Sequence, residues 1–144
     1  MKTTDAFWDS SALVPLCVEQ STTVLSRAAR RNGSIAVWWA TPVEITSALE
    51  RLLRNGELES KGHDSALVRL EALRGMWIEV APSGTVRDLS EALLRLHPLR
   101  AADALQLSAA LIWCKHHPRG RIFTCFDGRL AEAAAAEGFD VLTI

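Results

Sequence analysis

Apolar residues recur along the chain in two rhythms. Short runs bounded by turn or cap residues, at Ala6 to Trp8, Ile35 to Trp39, Trp77 to Ala81, Arg121 to Phe126 and Phe139 to Ile144, predict five β-strands. Longer stretches with helical spacing of apolar positions predict helices over Leu13 to Arg31 with a break near Glu19, then Pro42 to Arg54, Leu58 to Arg74, Val86 to Leu96, Ala101 to His116 and Arg129 to Glu137. Strand and helix mostly alternate, which predicts an α/β sandwich around a mostly parallel sheet. The breaks at Arg54-Asn55-Gly56, Pro82-Ser83-Gly84, Pro98 and Pro118-Arg119-Gly120 are short, and no linker or repeat divides the chain, so residues 1–144 read as one domain.

In the pattern from Ala101 to His116, apolar residues cover nearly the whole circumference, which predicts a buried central helix. A chain of 144 residues, 49% hydrophobic, is long enough to bury one continuous core. Acids and bases nearly cancel, 17 against 16, so no global positive field draws in a polyanion, and any contact with one must come from local patches or metal ions. Cys17, Cys114 and Cys125 lie in apolar surroundings without disulfide or zinc spacing and read as reduced core residues. Residues 1–11 lack the charged stretch and apolar run of a signal peptide, and no segment matches a membrane span. The expectation is a soluble cytoplasmic protein.

In a parallel α/β sheet the carboxyl ends of strands and the amino ends of following helices meet along one edge, where ligands bind. Asp9 closes the first predicted strand, Glu44 lies in the first turn after the second, Asp127 follows the fourth, and Asp103 opens the buried helix. These four acids should converge. Each also has an ordinary alternative as a helix cap, and Thr41-Pro42-Val43-Glu44 reads as a capping box with proline at the first helical position. Asp103 needs a partner to offset lost hydration in its apolar setting, and Arg100 is a candidate. Carboxylates crowded on one edge raise each other's pKa unless a cation neutralises them. Oxygen-only ligands favour Mg2+ or Mn2+, and such a site suits phosphodiester hydrolysis by metal-activated water. Ser10 and Ser11 have no base beside them and read as groups that hold Asp9 and its loop.

At these residues the sequence resembles the PIN-domain family, and within it the VapC-like toxins of bacterial and archaeal toxin-antitoxin pairs. The resemblance spans nearly the whole chain. It rests on Phe7-Trp8-Asp9-Ser10-Ser11-Ala12-Leu13, on Thr41-Pro42-Val43-Glu44-Ile45, on Leu99-Arg100-Ala101-Ala102-Asp103-Ala104-Leu105-Gln106-Leu107, and on Ile122-Phe123-Thr124-Cys125-Phe126-Asp127-Gly128-Arg129-Leu130. It implies a PIN-like three-layer α/β/α sandwich, an acidic quartet of Asp9, Glu44, Asp103 and Asp127 binding Mg2+ or Mn2+, endonuclease action on RNA, a homodimer, and neutralisation by a cognate antitoxin. The chain departs from the family at Cys125, where Thr or Ser is usual, and this weaker hydrogen-bonding group puts the hold on Asp127 in question.

Other features carry less. Cys114, His116 and His117 fit no zinc spacing, and positive side chains at a helix C-terminus complement its dipole. His97 and Arg100 are placed to meet substrate or to pair with an acid. Arg27, Arg30, Arg31, Arg51, Arg54, Arg119, Arg121 and Arg129 would line an RNA path or be solvated surface, with Arg129 the first choice as a phosphate contact. Trp38, Trp39, Trp77 and Trp113 read as core or interface packing. Apolar positions on the paired patterns between Val43 and Leu73 offer a docking face for an antitoxin helix if they are not all used against the sheet. The rival readings are a phosphoacceptor receiver domain, which would need a lysine that the last predicted strand lacks, a nucleotide-binding fold, for which no GxGxxG or Walker glycine pattern is present, and a catalytically silent PIN-like module kept for protein binding.

Overall fold

The computed structural model describes residues 5–19, 27 and 33–143. Among them are five strands, β1 (Ala6–Trp8), β2 (Ile35–Trp38), β3 (Ile78–Val80), β4 (Ile122–Thr124) and β5 (Asp140–Leu142), and six helices, α1 (Ser10–Cys17), α2 (Thr41–Arg54), α3 (Ser60–Arg74), α4 (Gly84–Leu96), α5 (Ala101–Trp113) and α6 (Gly128–Glu137). The strands form one sheet in the order β3-β2-β1-β4-β5, and every neighbouring pair is parallel. Helices cover both faces, giving a three-layer α/β/α sandwich.

Alternation along each strand assigns its side chains to the two layers. Ala6, Trp8, Ile35 and Val37 pack with α1, α2 and α3, through Leu13, Ile45, Leu49 and Leu70. Phe7, Trp38 and Phe123 point the other way, against α4, α5 and α6, where they meet Val86, Leu93, Leu107 and Leu130. Phe7 and Phe123 are adjacent in the β1–β4 register and stack at 5.6 Å between centroids. Complete burial of each such ring contributes about 2–3 kcal/mol, which specifies the register, since a slip of one strand by one residue would turn its ring to the opposite layer.

Several element ends differ from the sequence expectation. The first helix begins at Ser10 rather than Leu13, because Asp9 caps it by accepting from Ser11 N at 3.1 Å. It stops at Cys17, and the remainder of the predicted Leu13 to Arg31 helix lies mostly outside the described residues. The central helix ends at Trp113 rather than His116, because Lys115 and His116 take left-handed φ values of 55° and 61° and turn the chain toward Pro118. Ala104 to Leu111 in this helix are largely buried, as its composition predicts, whereas Ala101 and Ala102 are exposed and Ile112 and Trp113 half-buried. The second strand stops at Trp38, so Trp39 begins the turn into α2.

The order β3-β2-β1-β4-β5 sets the site. From β1 the chain builds outward through β2 and β3, then returns to place β4 on the other side of β1. This reversal puts the topological switch point between β1 and β4, and a crevice opens at the carboxyl ends of such strands. Asp9 N donates to Thr124 O at 3.0 Å, which ties the end of β1 to the end of β4 at that point. Among the described residues no helix is long and apolar enough to cross a membrane.

Candidate active site

A cleft of about 880 Å³ occupies this crevice, and Asp9, Glu44, Asp103 and Asp127 all line it. Each arrives on a different segment: Asp9 between β1 and α1, Glu44 in the first turn of α2, Asp103 in the first turn of α5, and Asp127 at the N-cap of α6. Arg51, Arg100 and Arg129 also line the cleft and set positive charge beside the acids.

Asp9 is 5% exposed. Burial pushes its carboxyl up to about 6; hydrogen bonds from Ser11 pull the other way, and the nearby charges of Glu44 and Asp103 add to the rise. Asp103 is half-buried and raised as well, first by desolvation and then by Asp127, with the Arg100 backbone N–H and the Arg100 and Arg129 guanidinium groups opposing. Its Oδ2 accepts from Arg100 N at a long 3.4 Å, so Arg100 is a partner in part through its backbone.

Glu44 is no helix cap. The N-cap of α2 is Ala40, one residue earlier than the capping-box reading requires, so Thr41 already lies inside the helix and makes no cap hydrogen bond. Glu44 Oε1 instead accepts from Ser10 Oγ at 2.8 Å and from Gln106 Nε2 at 2.9 Å. Gln106 Nε2 also donates to Thr41 Oγ1 at 3.2 Å. These bonds join α1, α2 and α5 around the carboxylate. Asp9 and Asp127 do cap their helices, Asp127 by accepting from Leu130 N at 3.1 Å, so capping and a place in the cleft coexist at both positions.

The two serines divide the work of holding the loops. Ser10 holds Glu44 rather than Asp9; the Ser11 backbone holds Asp9, and Ser11 Oγ accepts from Phe126 N at 3.0 Å, fastening α1 to the β4–α6 loop. Cys125 fills the position where the resembled family has a hydroxyl. Its Sγ accepts from Asp127 N at 3.3 Å and lies 3.9 Å from Asp9 Oδ2, so the larger sulfur still spans the two acids. Burial and the Asp9 charge push this thiol far up, and it is held as the neutral thiol.

Other expectations resolve by position. His97 pairs with Glu137 at 2.7 Å and does not line the cleft. Arg121 stacks over Trp113 at 4.2 Å, and Arg27 lies 3.7 Å from Glu19, whereas Arg30 and Arg31 fall outside the described residues. Trp38 and Trp77 are buried and Trp113 half-buried, but Trp39 is 53% exposed and so is not part of the core. Gln106 was not singled out as a site residue from sequence. A glutamine in the middle of an otherwise apolar helix was the available signal, since a buried amide needs partners.

The donor set fits a hard divalent cation: the candidate ligands are all carboxylate oxygens, and the most buried of them, Asp9, feels the like charges of Glu44 and Asp103. Among the described residues no three acid, histidine or cysteine side chains are gathered into a preformed metal site; the acids line the walls of the cleft. Comparison of the sequence with protein-family models and with curated proteins returns no match.

Proposed function

We propose that this protein is a Mg2+- or Mn2+-dependent endoribonuclease of the PIN-domain kind that hydrolyses RNA phosphodiester bonds, and that it acts in the cytoplasm as the toxin of a toxin-antitoxin pair. The observation that carries the reading is the convergence of four carboxylates, from four separate segments, on one cleft with three arginines on its walls. Capping alone explains an acid at a helix start, but not why Glu44, which caps nothing, is gripped by two side chains from other helices.

A bound divalent ion would lower the pKa of a coordinated water and neutralise charge on the phosphorane-like transition state. Asp9 and Asp103 are the principal ligands in this reading, with Glu44 and Asp127 completing the set. Ser10 and Gln106 fix the direction of Glu44, and Ser11 and Cys125 fix the β1 and β4 loops relative to one another. Arg51, Arg100 and Arg129 would take the flanking phosphates. The second reading, a silent PIN-like module that binds only protein, lacks a reason for the Glu44 grip. Single-stranded RNA incubated with the protein and Mg2+ or Mn2+ should be cut internally, chelator should stop the reaction, and Asp103→Asn should lower the rate at least about a hundredfold, the scale set by loss of an outer-shell group alone being up to that. Equal cleavage by wild type and Asp103→Asn would refute the assignment.

A further inference from the structure

We propose that the groove beside the cleft is a subsite for one unpaired nucleobase, with Trp39 as its stacking platform. The proposal rests on the ribonuclease reading for the identity of its strand, but its chemistry is independent of cleavage. The groove has a volume of about 510 Å³ and is lined by Trp39, Pro42, Val43, Ser47, Arg74 and Glu79 among others. Val43 and Ser47, one turn apart on α2, line both this groove and the acidic cleft, so the two spaces share a wall. A nucleotide chain with a phosphate at the acids can therefore place a neighbouring base in the groove.

Trp39 is held for this use. Its backbone N–H donates to Val80 O at 3.1 Å, which continues the β2–β3 hydrogen bonding one residue past the strand. Its ring meets Trp38 edge-on, at 68° and 6.4 Å, and Trp38 is itself buried. The ring is thus backed on its edge by core while 53% of the residue remains exposed. Val43, 68% exposed, adds a second apolar surface. Glu79 Oε2 accepts from Trp77 Nε1 at 3.0 Å, which fixes a carboxylate at the groove, where it can accept from the exocyclic amine of adenine, guanine or cytosine. Arg74 supplies a cation for the adjoining phosphate. Flat apolar faces with a polar edge and a nearby anion describe a nucleotide, and unpaired bases are recognised by stacking on aromatic rings. The mixed lining, with a carboxylate and a guanidinium in so small a groove, favours this occupant over an apolar protein segment.

Tryptophan emission of the full-length protein, titrated with single-stranded RNA hexamers in chelator, separates binding from cleavage. Wild type should be quenched, Trp39→Phe should lose most of that quenching while still binding, and Trp39→Ala should bind about tenfold or more weakly, as expected for loss of one stacked base. Glu79→Gln should weaken adenine-, guanine- or cytosine-rich hexamers more than uracil-rich ones. Because Trp39 is exposed, these variants should retain the wild-type circular dichroism spectrum. Hexamer affinity of Trp39→Ala within twofold of wild type overturns the subsite, as does loss of antitoxin binding with RNA affinity unchanged, which would make the groove a protein surface. Quenching at Trp39 without any cleavage in Mg2+ or Mn2+ would sink the nuclease reading and keep the base subsite. Cleavage by Trp39→Ala at wild-type rate and sites would do the reverse.

Discussion

Burial of Asp9 disfavours its charged form. It pushes the carboxyl from its ordinary 3.8 up to about 6. A raised folded pKa means that the native state holds the proton more tightly, so the associated stability is fully present below about pH 4 and is lost as pH rises through 6. At neutral pH the ionised group then costs on the order of 3 kcal/mol. In chelator, Asp9→Asn should therefore melt higher than wild type at pH 7, and the difference should vanish near pH 4; a variant that melts lower at pH 7 would contradict this account of the carboxyl. The identity of Asp9, Glu44, Asp103 and Asp127 as candidates was legible from their places after strands and at helix starts. The capping box at Thr41 was not correctly readable, because Ala40 carries no side-chain signal, yet it starts the helix and so shifts Thr41 and Glu44 into it.

At the scale of elements, α5 aligns the cleft through one polar side chain. Gln106 Nε2 serves Glu44 and Thr41, while its Oε1 is buried without a hydrogen-bond partner among the described residues. Gln106→Leu removes the unsatisfied oxygen along with the donors, so the fold should hold, whereas Glu44 loses a hydrogen bond that orients it. RNA cleavage, or the Mg2+ concentration needed for half-maximal cleavage, should worsen about ten- to a hundredfold, as for other groups that orient a ligand; a change below twofold would leave Gln106 a packing residue. The α2–α3 pair bears on partnership. Ile45, Leu49, Leu70 and Leu73 are consumed by the core, and His63 of α3 pairs with Glu50 of α2, but Leu67 and Val68 face outward at 37% and 70% exposure. Under the proposed toxin function, Leu67→Glu should therefore weaken inhibition by the antitoxin in a co-expression assay and leave cleavage by the unbound protein unchanged; intact inhibition would move the docking face elsewhere. Helix periodicity located this pair correctly, but which apolar positions remain outside depends on how the helices roll against α1 and each other, which no local pattern encodes.

On the scale of the whole molecule, alternating strands and helices were enough to predict a parallel sheet with helices on both faces, and the structure has them. Strand order was not legible, since period and propensity say nothing about which strands become neighbours. Yet it is the placement of β4 against β1 that brings Asp127 beside the Asp9 loop and makes acids from distant segments one cleft. The central claim is that these acids act together as a single site for a divalent ion. The direct measurement is the melting temperature at neutral pH across millimolar Mg2+ and Mn2+, after chelator treatment, for wild type, Asp9→Asn and Asp103→Asn. A ligand held only by the native state at a hundred times its Kd adds about 2.7 kcal/mol, which corresponds to roughly 5 °C or more in a domain of this size. Wild type should show that rise, and each single variant should abolish most of it, because in this account both acids hold the same ion. A melting temperature that stays flat for wild type, or rises equally in all three proteins, would contradict the account.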